Sequence, residues 1–131
     1  MSSIENMGAT WAPRLLSVLR IVVGLLFIEH GTSKFFGFPP MPGFEGLAIF
    51  SLIGLSAVLE LVGGLLMAIG LFTRVTAFIL SGEMAVAYFM AHAPMGFFPL
   101  LNHGELAILY CFVFLYFAAA GAGPWSIDSR R

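Results

Sequence analysis

Charge is what this sequence has least of: Asp, Glu, Lys and Arg make up 10% of its 131 residues, while 60% are hydrophobic. A soluble domain carries about 25% charged residues, so the deficit excludes the ordinary soluble classes and points to a membrane protein. The net charge of -1 leaves no basic face of the kind a nucleic-acid partner requires. Cysteine is scarcer still, with Cys111 alone in an apolar run. One thiol makes no internal disulfide, and CxxC redox chemistry and cysteine-based zinc or iron-sulfur sites are excluded within the chain. Any electrons must pass through a bound cofactor or another protein. Internal repeats and low-complexity segments are absent as well. No A-x-A-like cleavage site follows the first apolar run, whose core Arg20 interrupts, so that run is expected to stay as a span rather than leave as a signal peptide.

Apolar runs are what the sequence has in abundance. Four of them, at about 15–36, 47–72, 75–92 and 103–120, are separated by turn-forming residues. At 1.5 Å per residue each covers roughly 27 to 39 Å, against a hydrocarbon core of about 30 Å. The expected fold is all-α, a four-transmembrane-helix bundle forming a single domain over residues 1–131. Pro13 suits the first turn of the first helix, and Gly121, Gly123 and Pro124 suit the end of the fourth. The short joint at Leu71 to Arg74 makes the second and third helices antiparallel neighbours. Arg14, Arg74, Arg130 and Arg131 fall on the side that an even number of spans gives to both termini, Arg20 lies near it, and Lys34 lies toward the other. By the positive-inside rule both termini are then cytoplasmic. The outer loops, FFGFPPMPGFEG and APMGFFPLLN, are almost uncharged. Irregular backbone cannot face lipid tails, so these loops read as interfacial anchors, with a lid over a site as the alternative.

The few ionisable residues sit where solvation is hardest. Counted from the outer helix ends, Glu29 and Glu83 are roughly 10 to 14 Å deep and Glu60 about 15 to 20 Å, whereas Glu105 is only a few Å in. A charge at the centre of a span costs about 2.5 to 3.5 kcal/mol on insertion scales, so such residues must be paired, protonated or turned to a polar cavity. His30 and Lys34 are four apart and share a helix face, and His92 and His103 bracket the third loop, which puts every histidine in the outer half. Arg20, Gly24, Phe27, Gly31 and Lys34 form one stripe on the first helix, with small residues where another helix can approach; Gly63, Gly64 and Gly70 offer matching points on the second. Glu29, His30 and Lys34, with Glu60 and Glu83, are the candidates for a polar site. The other reading has the glutamates only joining helices.

Redox chemistry on a lipid-soluble quinone fits such a site, because it moves protons with electrons and needs acids or imidazoles beside an apolar slot. Phe27, Phe35 and Phe36 are candidate walls, and His92, His103 and Glu105 further candidate contacts. No metal is expected: Glu-x-x-His does not occur, and adjacent Glu29 and His30 point about 100° apart, which makes them poor ligands for one ion. Transport through a glutamate relay would need an oligomer or a narrow pore. Cys111 reads as a buried packing residue.

Taken in order, the motifs resemble the DoxX family of small four-helix membrane proteins. They are R-x3-G-x2-F-x3-G-x2-K-x2-G from Arg20 to Gly37, E-x2-G-G from Glu60 to Gly64, and G-L-x-T-R from Gly70 to Arg74, then N-H-G-E-L-A from Asn102 to Ala107 and G-P-W-S-I-D from Gly123 to Asp128. The resemblance implies a bacterial inner-membrane protein and an oxidoreductase subunit related to quinone-linked thiosulfate oxidation, whose thiol or sulfur chemistry happens in a partner protein. It carries over no catalytic residues. The expected partners are the lipid bilayer, a redox protein and further copies of the chain. The reading from another class is a non-catalytic scaffold, or a small-ligand-binding or transport module.

Overall fold

Ser2 and Glu5 start the first helix well before Pro13. The Ser2 hydroxyl accepts the Glu5 amide hydrogen, and the Glu5 carboxylate accepts that of Ser2 at 2.6 Å, a reciprocal cap that satisfies two otherwise unpaired amides. In this computed structural model, which describes residues 2–43 and 48–131, α1 therefore runs over Ser3–Phe36 and holds Pro13 inside it. The expectation of Pro13 in the first turn is corrected on that ground. The Ser-x-x-Glu spacing that sets the true start is visible in the sequence. The expected start of the second span at Leu47, and residues 44–46 of the first outer loop, lie outside the described residues.

The remaining elements follow from caps and breakers. Ser51 caps α2, Leu52–Ile69, by accepting the Gly54 amide hydrogen, and Gly70 ends it at φ 71°, a left-handed conformation that glycine adopts without a Cβ penalty. The helix α3 covers Thr73–Ala87 and continues through a wider turn at Tyr88–His92 and a tighter one at Ala93–Met95. A short α4, Pro99–Asn102, leads to α5, Glu105–Ala120, and a last turn lies at Asp128–Arg130. Three helical stretches, Ser3–Phe36, Leu52–Ile69 and Thr73–Met95, are long and apolar enough to cross a membrane. The fourth, α5, has 16 residues and is about 24 Å long. It is shorter than expected because His103, at φ 62°, breaks the helix before Glu105.

The helices pack into one bundle, α1 chiefly against α2 and α3 against α5, with α2 also touching α3. Between apolar helices in lipid, association depends on close packing rather than on water exclusion, and here glycine provides it. A Cβ on Gly24 would fall 2.5 Å from the Ala68 nitrogen, and one on Gly31 would fall 2.7 Å from the Leu61 nitrogen. The centre is filled by Phe27, Met67, Ala77, Leu80, Phe114 and Phe117. Phe27 meets Tyr110 and Phe114 edge to face, at 4.8 and 4.7 Å between ring centres, and so ties α1 to α5. The outside is as apolar as the core: Leu25, Leu55, Leu65, Phe78, Leu109 and Phe112 each leave more than half their surface uncovered. That is a lipid-facing surface rather than a water-facing one.

One end of the bundle is closed by the tail. Arg20 is fully buried and donates hydrogen bonds to the carbonyls of Met67, at 2.8 Å, of Trp125, at 2.6 Å, and of Ala122. Asp128 accepts the Phe72 and Thr73 amide hydrogens at 2.9 Å each and so caps α3 from the far end of the sequence. Burial would raise the Asp128 carboxyl, but these hydrogen bonds and nearby Arg131 hold it below the usual aspartate value. Arg74 donates to the carbonyls of Ala118 and Ala119 at the end of α5. The motifs around Arg20, Arg74 and Asp128 are thus occupied in holding the fold.

Candidate functional site

At the opposite end, three helices bring their ionisable groups together inside the bundle. Lys34 stands in the last turn of α1, and its ammonium reaches back to donate to Ser56 Oγ at 3.1 Å and Glu60 Oε2 at 2.9 Å, both on α2. Ser56 and Glu60 are four residues apart, hence on one face of that helix. Glu60 is 2% exposed. From α3, half-buried Glu83 turns its carboxyl to that of Glu60. Glu60 Oε1 and Glu83 Oε1 are buried and meet no hydrogen-bond donor among the described residues. Two facing carboxylates have no donor to offer each other, so the pair is completed only by a proton or by a group that brings one. Glu60 is the ninth residue of α2, about 12 Å from its start, which sets the cluster well inside the apolar layer.

The candidates Glu29, His30 and Lys34 do not share one surface. Lys34 joins the cluster, but Glu29 is exposed on the side of α1 turned away from α2. Two residues whose numbers differ by five lie about 140° apart around a helix, so Glu29 cannot face the cluster with Lys34. His30 is half-buried with its ring 5.9 Å from that of Phe27. Phe27 itself is in the core at 1% exposure and walls no slot. Phe35 is half-buried and Phe36 exposed.

The third-loop candidates serve the turn into α5. Asn102 is fully buried; its amide donates to Tyr88 Oη and the Gly96 carbonyl, and its side-chain oxygen accepts the Gly104 amide hydrogen. His92 Nδ1 lies 3.0 Å from the Asn102 carbonyl, close enough to hydrogen-bond it. A Cβ on Gly104 would fall 2.5 Å from the Tyr88 ring. His103 and Glu105 are exposed, and Glu105 opens α5, where a carboxylate favours the helix dipole. Sequence reasoning missed Ser56 and Asn102. Ser56 was legible as the residue one turn before Glu60, whereas nothing local marks Asn102 as buried.

Among the described residues no three His, Cys, Asp or Glu side chains gather as a metal site. A cavity of about 520 Å³ lies at the tail end, lined by Phe72, Arg74, Gly121, Ser126 and Asp128 among others. It marks where the tail crosses the start of α3, away from the Lys34 cluster. The cluster, not this cavity, combines unpaired acceptors with an apolar surround.

Comparison with known proteins agrees with the motifs. The family model described as DoxX matches residues 15–93. An uncharacterised protein of Haemophilus influenzae is 49% identical over 99% of this chain and 97% of its own length. An uncharacterised membrane protein of Mycobacterium tuberculosis is 32% identical over 99% of this chain and 93% of its own. A Bacillus subtilis protein named "Putative oxidoreductase CatD" is 35% identical over 70% of this chain and 75% of its own. No solved structure matches the chain.

Proposed function

The chain belongs to the DoxX family of membrane proteins, and on that premise we propose that it is a quinone-linked oxidoreductase subunit of the bacterial inner membrane, with its polar site at Lys34, Glu60 and Glu83. The observation that carries this reading is the pair of buried oxygens, Glu60 Oε1 and Glu83 Oε1, that meet no donor among the described residues. A hydroxyl-bearing ring entering from the lipid supplies what they lack, and so this pair of acceptors fits a quinol head group. A quinone contributes two-electron, two-proton chemistry when bound. The residues of this chain do the rest. Glu60 and Glu83 accept hydrogen bonds from the ring hydroxyls and take or return protons there. Lys34 fixes Glu60 in one orientation through Oε2 and offsets its charge. Electrons exchange with a partner redox protein, since Cys111 is the chain's single thiol. The oxidoreductase name of the Bacillus subtilis relative supports the class of reaction.

The arginines gather at the tail end and Lys34 at the other, so the reading places both termini in the cytoplasm and the cluster toward the opposite leaflet. The competing reading, a scaffold or small-ligand module, draws on the Lys34–Glu60 bond, which also ties α1 to α2.

Quinone content per protein after gentle detergent purification separates the two, comparing wild type with Glu83→Gln at equal folded yield. Near-stoichiometric quinone in wild type, lost in Glu83→Gln, is the expected result. Quinone no higher than in the bulk lipid for both proteins would end the redox reading in favour of the scaffold.

A further inference from the structure

Glu29 poses a problem that the Lys34 cluster leaves unsolved. It sits in the middle of a membrane helix, on the lipid side. On the same side of α1 lie Leu15, Val18, Val22 and Leu25, and beyond Glu29 comes Phe36; the five apolar side chains are 41 to 71% exposed. From Leu15 through Glu29 to Phe36 their spacing is three, four, three, four and then seven, which is a heptad seam. A period of 3.5 keeps one stripe of a helix against another helix along its whole length. Among the described residues the seam is not used, because α1 meets α2 through Gly24 and Gly31 and meets α5 through Phe27. From Leu15 to Phe36 it runs about 32 Å, the thickness of the hydrocarbon core.

The carboxyl of Glu29 narrows what can cover this seam. It needs a hydrogen-bonding group at its own depth. Among the described residues the other charged or imidazole side chains at membrane depth, Arg20, His30, Glu60 and Glu83, are buried or half-buried, and exposed Arg14 lies about four turns from Glu29 toward the tail end. The exposed surfaces of α2, α3 and α5 at that depth are aliphatic and aromatic, with residues such as Val58, Val62, Val86 and Leu109. A second copy inserted in the same direction, related by a two-fold axis along the membrane normal, brings its own Glu29 to the same depth and the same seam to the same face. We infer that α1 is the interface of a parallel homodimer, in which Leu15, Val18, Val22 and Leu25 of the two copies interdigitate and the two Glu29 carboxyls, one of them protonated, share a hydrogen bond. Closure is by the outward seam of α1, while the glycine stripe stays within each copy.

Oxidative cross-linking of the full chain in native membranes tests this. In a Cys111→Ala background, single cysteines are introduced as Val22→Cys and Leu25→Cys on the seam, and as Val62→Cys and Val86→Cys on the exposed faces of α2 and α3. The expected result is a covalent dimer for the two seam variants and monomer for the other two. With Val22→Cys, adding Glu29→Gln keeps the dimer, because an amide pair can still hydrogen-bond, and adding Glu29→Leu at equal folded yield weakens association by roughly three- to tenfold. A dimer strongest at Val62→Cys or Val86→Cys, monomer throughout, or an adduct of seam cysteines to a protein of another mass would overturn the inference. Cross-linking unchanged by Glu29→Leu would overturn the role given to the carboxyl.

Discussion

Arg20 is the most demanding side chain in the molecule. A guanidinium can be left fully buried only if its donors are matched, and here three carbonyls match them: that of Met67, which also accepts the Gly70 amide hydrogen, and those of Ala122 and Trp125. The same bonds solve the problem of the tail, since the carbonyls of its turns would otherwise be unsatisfied inside the bundle. From sequence alone Arg20 is placed near the side of the termini, with no partner named. Backbone carbonyls brought in from residues 122 and 125 lie too far along the chain for any local pattern to announce them. The expected consequence is that Arg20→Met lowers unfolding stability by about 3 kcal/mol or more, because it strands the Ala122 and Trp125 acceptors at once. Arg20→Lys should recover part of that, since an ammonium has donors but not the planar fork that reaches three separate carbonyls. Thermal unfolding in detergent, read by circular dichroism, checks both; equal stability of Arg20→Met and wild type would refute the role.

Between helices the decisive feature is the absence of side chains. The stripe of small residues on α1 was legible because helical spacing alone puts Gly24 and Gly31 on one face, and the structure makes that face the contact with α2. A methyl on Gly24 would lie 2.5 Å from the backbone nitrogen of Ala68 and 2.8 Å from the Gly64 carbonyl oxygen, neither of which can rotate aside. Gly24→Ala is therefore expected to part the helices and to lose about 1 to 3 kcal/mol. Gly82 on α3 is the control: nothing among the described residues lies within 4 Å of a Cβ placed there, so Gly82→Ala should be neutral or gain about 0.5 to 1 kcal/mol from helix propensity. Denaturation of the two variants side by side measures the contrast, and equal effects would mean that backbone entropy rather than close approach decides at Gly24. What spacing could not give was the direction in which each helix faces its neighbours. Glu29 and Lys34 are close in sequence, but only the arrangement of α2 and α5 around α1 determines that Lys34 turns inward and Glu29 outward. The start of α1 was also legible, in the Ser2 to Glu5 cap, and was obscured by the stronger signal of Pro13 as a first-turn residue.

For the molecule as a whole, polar groups are sorted to two ends with different tasks. The tail end uses Arg20, Arg74 and Asp128 to close backbone hydrogen bonds, and the Lys34 end keeps acceptors open. The apolar spans and the antiparallel turn between α2 and α3 could be read from composition and punctuation, because lipid leaves few alternatives to helices. The convergence of Lys34, Glu60 and Glu83 could only be listed as candidates, since it depends on packing across three helices. The same sorting fixes an expectation for insertion. Every arginine lies at the tail end, and although Arg20 and Arg74 are bonded to carbonyls there, Arg14, Arg130 and Arg131 are exposed beside them. Basic residues that flank a span hold it toward the cytoplasm, so Ser3→Cys and Ser129→Cys, each in a Cys111→Ala background, should resist a membrane-impermeant maleimide in intact cells and react once the membrane is opened. Pro40→Cys and Met95→Cys, at the Lys34 end, should react in intact cells. Removing the exposed charges together, by Arg14→Gln, Arg130→Gln and Arg131→Gln, should make the labelling mixed, because Arg20 and Arg74 then carry the orientation alone. The reverse labelling in the unmodified arginine background would turn the protein over in the membrane and put the Lys34 cluster in the cytoplasmic leaflet, where its proton exchange would be with the cytoplasm.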